Sequence, residues 1–220
     1  VQRVEDSSAT PHQLTGHLSD AAVRYAEERH WEVLPGAWIE SDASGAPRCS
    51  CGDARCAAPG AHPVRPDWAR RAAGTAPAVR RMWQKQPRAS VLLPAGRTFE
   101  AIDVSEEAGC LALARLERMN LPLGPVLGTP ERRLLFFVLP GAGAKVPDLL
   151  RRLGWRPEPL DLAVRGEGEW VVAPPTRTAA GGGCAQWARR PTPANRWLPD
   201  AEDLLSPLAY ACARESAAAR

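Results

Sequence analysis

Apolar positions along the chain come in short runs, and their spacing alternates between helical and strand periods. Ala22, Val23 and Ala26 share one face of a helix that Ser19 or Asp20 can cap and that ends near His30. Trp31 to Ile39 mixes aromatic and β-branched residues around Pro35 and Gly36 and predicts a strand with a break. Residues 41–66 are loop-like. Thr75 precedes a helical stretch through Val79, Met82 and Trp83 that stops before Pro87. Ser90 to Leu93 and Phe99 to Val104 predict short strands joined by a Pro-Ala-Gly-Arg turn. Ser105 opens a strong helix, with Leu111, Leu113, Ala114 and Leu116 as its apolar face. Glu106 and Glu107 suit the positive end of its dipole.

Leu134 to Leu139 then predicts a buried strand, and Val146 to Leu153 a short helix. Leu160 to Val164 and Glu169 to Ala173 predict a strand pair around Gly-Glu-Gly, and Ala185 to Ala188 one more strand. An alanine-rich helix is expected from Pro207 to Ala219. The order implies an α+β fold, a mixed sheet with flanking helices, rather than a doubly wound sheet. Three segments are expected: a flexible leader at 1–17, one domain at 18–200, and a terminal helical segment at 201–220.

At 220 residues, with 45% hydrophobic and 24% charged side chains, the chain can bury a real core. No stretch approaches the roughly 20 apolar residues of a membrane span, and the polar leader lacks the order of a signal peptide. A cytoplasmic location with reduced or metal-bound thiols is expected. Net charge is only +3, but its distribution is uneven. Residues 65–88 hold seven basic side chains against Asp67 alone, and residues 177–196 hold four basic side chains and no acid. Arg70, Arg71, Arg80, Arg81 and Lys85 are candidate phosphate contacts, and Arg189 and Arg190 are further candidates. Trp68 and Trp83 are candidate stacking surfaces. The alternatives are a solvated helix face for the charges and core positions for the tryptophans.

Cys49, Cys51, Cys56 and His62 form the pattern Cys-x-Cys-x4-Cys-x5-His in a loop rich in Gly and Pro. Short spacings of this kind let one loop (residues 49–62) wrap a tetrahedral Zn2+, and four protein ligands leave no open position. The site therefore predicts a structural zinc. Free thiols or a disulfide are the alternatives. Cys110, Cys184 and Cys212 are scattered and are expected in the core.

The ordered series resembles the N-terminal domain of bifunctional DNA primase/polymerases, in the archaeo-eukaryotic primase superfamily, over about Leu18 to Trp197. It runs from the helix ending Arg-Tyr-Ala-Glu-Glu-Arg-His-Trp to the strand Val33-Leu34-Pro35. It continues through the cysteine insert ending Pro-Gly-Ala-His-Pro and the Trp83 to Pro87 segment to Val171-Val172-Ala173-Pro174-Pro175-Thr176. The resemblance implies a primase-polymerase-like sheet with an Asp-x-Asp pair holding Mg2+ or Mn2+, a phosphate-binding histidine, and a third acid. Here Asp103-Val104-Ser105 stands at the first motif, keeping one carboxylate. Residues 129–134 stand at the second, with Leu134 near the histidine's place. Asp161 stands at the third. Asp103 and Asp161 are thus the remaining catalytic candidates, and Arg132 and Arg133 could bind phosphate without a metal. Simpler roles are also open: Ser105 as a helix cap, Asp161 as an ion-pair partner of Arg165, and the arginines as a charged strand end.

Three readings follow. One is a divergent, active DNA primase/polymerase needing Mg2+ or Mn2+. Another is a primase-like module with weak or no template-directed nucleotidyl transfer that binds single-stranded DNA or nucleotide. The last is a zinc-stabilised, non-catalytic regulator that binds a protein. Any helicase would have to be a separate chain, a separate replication or regulatory protein is a candidate partner, and no membrane partner is expected.

Overall fold

A computed structural model describes residues 11–218 apart from 43, 159 and 179–182. The fold is mixed α and β, as expected, with three sheets and five α-helices among the described residues. Helix α1 (Pro11–Arg29) begins before the cap positions Ser19 and Asp20, so residues 11–17, read as leader, are helical, and residues 1–10 lie outside the described residues. Short strands β1 (Leu34–Gly36), β2 (Ile39–Ser41) and β3 (Pro47–Cys49) follow, then a 3-10 helix at Trp68–Arg71 and α2 (Ala76–Lys85). Next come β4 (Ser90–Pro94), β5 (Glu100–Ser105), α3 (Glu106–Arg118), β6 (Val126–Thr129), β7 (Arg133–Val138) and α4 (Ala142–Arg152). The chain closes with β8 (Leu162–Arg165), β9 (Trp170–Val172), β10 (Gln186–Arg189) and α5 (Ala201–Ala218), which carries Pro207 inside it. Among the described residues no helix is long and apolar enough to cross a membrane.

A five-stranded antiparallel sheet in the order β10-β6-β7-β5-β8 divides the core. Alternation along β5 and β7 sends Ile102, Val104, Leu134, Phe136 and Val138 to one face, against α3, α4 and α5. Ala101, Leu135 and Phe137 face the other way, towards α1, α2 and the sheet β1-β4-β9. On that second side Trp31 packs among Phe99, Phe137 and Trp187, with ring centroids 5.2 to 6.3 Å apart.

Three expectations need correction. β8 and β9 flank the Gly-Glu-Gly turn but do not pair: β8 joins β5, whereas β9 joins β4 in the other sheet. The chain therefore crosses from the large sheet to the smaller one at that turn. The buried face of α3 is Ala108, Gly109, Ala112 and Leu116, while Leu111 is exposed. Small residues are used because α3 lies so close to β7 that a Cβ on Gly109 would sit 2.7 Å from Leu134 Cβ. Of the scattered cysteines, Cys212 is in the core, Cys184 is half-buried and Cys110 is exposed on α3.

Candidate functional site

The cleft lies on the second face of the large sheet and has a volume of about 600 Å³. Its floor includes Asp103, Arg133 and Arg165, and part of its wall is Ala57, Ala58, Pro59 and Ala61 of the cysteine loop. Strand register builds the floor. Asp103 lies opposite Leu135 of β7 and Ala163 of β8, while Ser105 pairs with Arg133 and Ala101 with Arg165. The two arginines are therefore diagonal neighbours of Asp103 on one face, within reach of long side chains.

Both arginines grip the buried carboxylate. Arg133 Nε donates to Asp103 Oδ1 at 2.7 Å, and Arg165 Nε and Nη2 reach Oδ2 at 2.9 and 2.8 Å. Arg133 Nη1 also donates to Asp161 Oδ2 at 2.5 Å, and Arg165 Nη1 to Glu169 at 3.0 Å. The result is a row of alternating charge: Asp161, Arg133, Asp103, Arg165, Glu169. Burial disfavours the Arg133 charge, but hydrogen bonds to Asp161 and Asp103 outweigh it and hold the guanidinium above its ordinary pKa. Arg165 is raised in the same way by Asp103 and Glu169 against its burial. Asp161 pairs with Arg133, not with Arg165.

These carboxylates do not fit a divalent cation. A metal shared by Asp103 and Asp161 would occupy the place of the Arg133 guanidinium, which already satisfies both. Ser105 offers no replacement ligand. Its hydroxyl accepts from Ala108 N at 3.2 Å as the α3 cap and donates to Glu215 of α5. Leu134 packs on α3 in the opposite core, so the cleft-facing positions of β7 are Arg133 and Leu135. Arg132 and Arg133 part company: Arg132, at φ 59°, pairs with Glu106 and Glu107 at the start of α3. Sequence reading also missed Thr129 and Thr178. Both line the cleft, and each has a buried hydroxyl without a hydrogen-bond partner among the described residues. Isolated threonines in loop-like sequence carry no signal of that kind.

The cysteine cluster assembles as its spacing predicts. The ligand atoms of Cys49, Cys51, Cys56 and His62 all lie within 4.8 Å of one another. His62 Nε2 is 3.4 Å from Cys49 Sγ and 3.3 Å from Cys56 Sγ, and its Nδ1 lies 2.8 Å from the Pro63 carbonyl. That carbonyl fixes the tautomer that leaves Nε2 as an electron-pair donor, an arrangement typical of metal-bound histidine. Burial pushes the Cys49 thiol up, but amide hydrogen bonds from Cys51 and Gly60 outweigh it and lower its pKa. Burial pushes Cys56 up to about 11. The donor set fits one tetrahedral ion, which would complete the loop rather than perform chemistry. The loop is tied to the core by Ser90 Oγ to Gly60 O at 2.7 Å, Trp170 Nε1 to Ala61 O at 2.8 Å and Ala37 N to His62 O at 2.8 Å.

The other basic candidates collect elsewhere. Arg70 and Arg71 sit on the 3-10 helix and Arg80, Arg81 and Lys85 on α2. Arg71 and Lys85 border a groove of about 230 Å³ with Trp68 and Met82. Arg71 is paired with Asp67 and Arg80 with Glu27. Trp83 is core, with its Nε1 donating to Ala89 O at 3.1 Å, so only half-buried Trp68 remains near the patch.

A search of curated proteins finds no match. The sequence does match the family described as bifunctional DNA primase/polymerase, N-terminal, over residues 22–197. That span takes in all three sheets, the cysteine loop and the cleft, so the chain belongs to the bifunctional DNA primase/polymerase N-terminal family.

Proposed function

We propose that this chain is a primase/polymerase-like module that binds nucleic acid or nucleotide in a reducing, cytoplasmic setting and carries out little or no template-directed nucleotidyl transfer. The observation that carries the reading is Arg133, bound at once to Asp103 and Asp161. Phosphoryl transfer of this type needs metals to neutralise the triphosphate and orient the attacking hydroxyl. With a guanidinium between the acids, that cradle is occupied by the protein itself. The cleft nevertheless keeps features that suit a ligand: open volume, two arginines, and the buried hydroxyls of Thr129 and Thr178, without partners among the described residues. These favour binding over a purely scaffolding role.

Structural Zn2+ on Cys49, Cys51, Cys56 and His62 belongs to the same proposal, as do strand contacts at Arg70, Arg71, Arg80, Arg81 and Lys85. We divide the chain into a leader (1–17), the family domain (18–200) and a terminal helical segment (201–220). The test is primer synthesis with labelled nucleotides in Mg2+ or Mn2+, alongside nucleotide and oligonucleotide binding. The expected outcome is binding without extension. Robust extension abolished by Asp103→Ala would establish the active-polymerase reading instead.

A further inference from the structure

Seven of the eight tryptophans are buried or half-buried, whereas Trp197 is 87% exposed. It does not sit on a loose segment. Arg29, itself 9% exposed at the end of α1, sends its guanidinium into the preceding loop. It donates to Thr192 O at 3.0 Å, Asn195 O at 2.7 Å and Arg196 O at 3.4 Å. Asn195 closes the same loop on itself, with Nδ2 donating to Arg190 O and Oδ1 accepting from Thr192 N, both at 2.8 Å. Pro191, Pro193 and Pro199 restrict the backbone further. The fold thus holds an indole in water on a fixed support, where an ordinary core would bury it.

Its surroundings are basic. Arg196 follows the clamp and donates to His30 Nε2 at 2.8 Å. Arg24 and Arg190 both lie close enough to Tyr25 to act on its phenol, and Arg196 acts on Arg29. Arg24, Arg190 and Arg196 are exposed, and none has an ion-pair partner among the described residues. Glu28 is the acid that faces Arg29. Exposed guanidiniums of Arg190 and Arg196 on the same braced loop as a solvent-facing indole match a ligand with a flat aromatic ring and a phosphate beside it, and repeat that match along a strand. Pre-organisation by Arg29 and Asn195 lowers the ordering cost of such contact.

We propose that the loop of residues 190–197 is a stacking platform for single-stranded nucleic acid, with Trp197 holding a base and Arg190 and Arg196 its phosphates. This site is separate from the cleft and from α2, and it rests on the nucleic-acid reading given above. The test uses the full chain and a fluorescein-labelled oligothymidine, followed by fluorescence anisotropy across a salt series.

Trp197→Ala should leave thermal unfolding unchanged, because the ring makes so little contact. It should weaken binding by roughly tenfold at fixed salt without changing the salt slope, whereas Trp197→Phe should retain most of the affinity. Arg196→Ala should reduce the slope of log K against log salt by about one. Wild-type binding matched by Trp197→Ala would refute the platform while leaving the nucleic-acid reading intact. Absence of oligonucleotide binding by the wild type at low salt would overturn both. Loss of self-association in Trp197→Ala, with oligonucleotide affinity untouched, would make this face a protein interface and also overturn the proposal.

Discussion

Asp103 lies at 3% side-chain exposure, and two guanidiniums supply the contacts that water would. The arginines are less buried, at 26% and 44%, so the cost of breaking the group depends on which member is removed. Arg133→Ala or Arg165→Ala alone leaves Asp103 one partner and should cost about 1–2 kcal/mol. The double variant strands the carboxylate and should cost about 3–5 kcal/mol, more than the singles added. Urea unfolding at neutral pH reads the difference, and simple additivity would show that the pairs act independently. Gly109→Ala should also destabilise, by about 1–3 kcal/mol, although alanine favours helices, because the new Cβ meets Leu134. Tyr25 offers a pH test: burial raises its phenol from 10.0 to about 12, against the opposing hydrogen bond from Trp187. The unfolded chain ionises first, so this stabilisation is whole below pH 10 and is lost as pH rises through about 12. Tyr25→Phe should remove that component of the alkaline loss, seen in melting temperatures between pH 9 and 12, at a cost of about 1 kcal/mol at neutral pH.

At the scale of elements, the cysteine loop is the wall of the cleft as well as a metal site. The ties from Ser90, Trp170 and Ala37 hold its far end, pairing of Cys49 with Ile39 and of Ser50 with Trp38 holds its near end, and the four ligands gather the stretch between. Purified protein should carry about one zinc per chain. Its removal by chelation should lower the melting temperature and loosen exchange protection of residues 49–62 before that of β5 and β7. A metal-free protein of unchanged stability after Cys51→Ala would contradict this. The cluster was legible because its ligands are near neighbours in sequence, and the Ser105 cap because capping is local. What escaped reading was long-range or short. β6 hid in Val-Leu-Gly-Thr between two prolines, where strand signals are weakest. The partners of Asp103 lie 30 and 62 residues away and are set by register, which no local pattern encodes. Leu134 shows the same limit, since one step along β7 exchanges the cleft for the opposite core.

At the scale of the whole molecule, restoring a metal cradle would require changes in both layers on either side of the large sheet. Ser105→Asp preserves a good cap but sets a second carboxylate against Glu215 of α5, whose oxygen now accepts from the Ser105 hydroxyl. Leu134→His buries a polar ring among Val104, Gly109 and Leu116 rather than in the cleft. The Ser105→Asp, Leu134→His double variant should therefore lose stability and gain no extension activity. Arg133 is the residue that stands between the acids. With the zinc site saturated, millimolar Mn2+ should leave the wild-type melting temperature unchanged, because Arg133 already holds both Asp103 and Asp161. Arg133→Ala opens Asp103 and Asp161 towards one another, although Arg165 still holds one Asp103 oxygen. Mn2+ should then raise the melting temperature of that variant, and Asp161→Asn added to it should abolish the rise. Equal Mn2+ stabilisation of the wild type would mean that Arg133 yields to the metal, and the cleft would have to be read as catalytic.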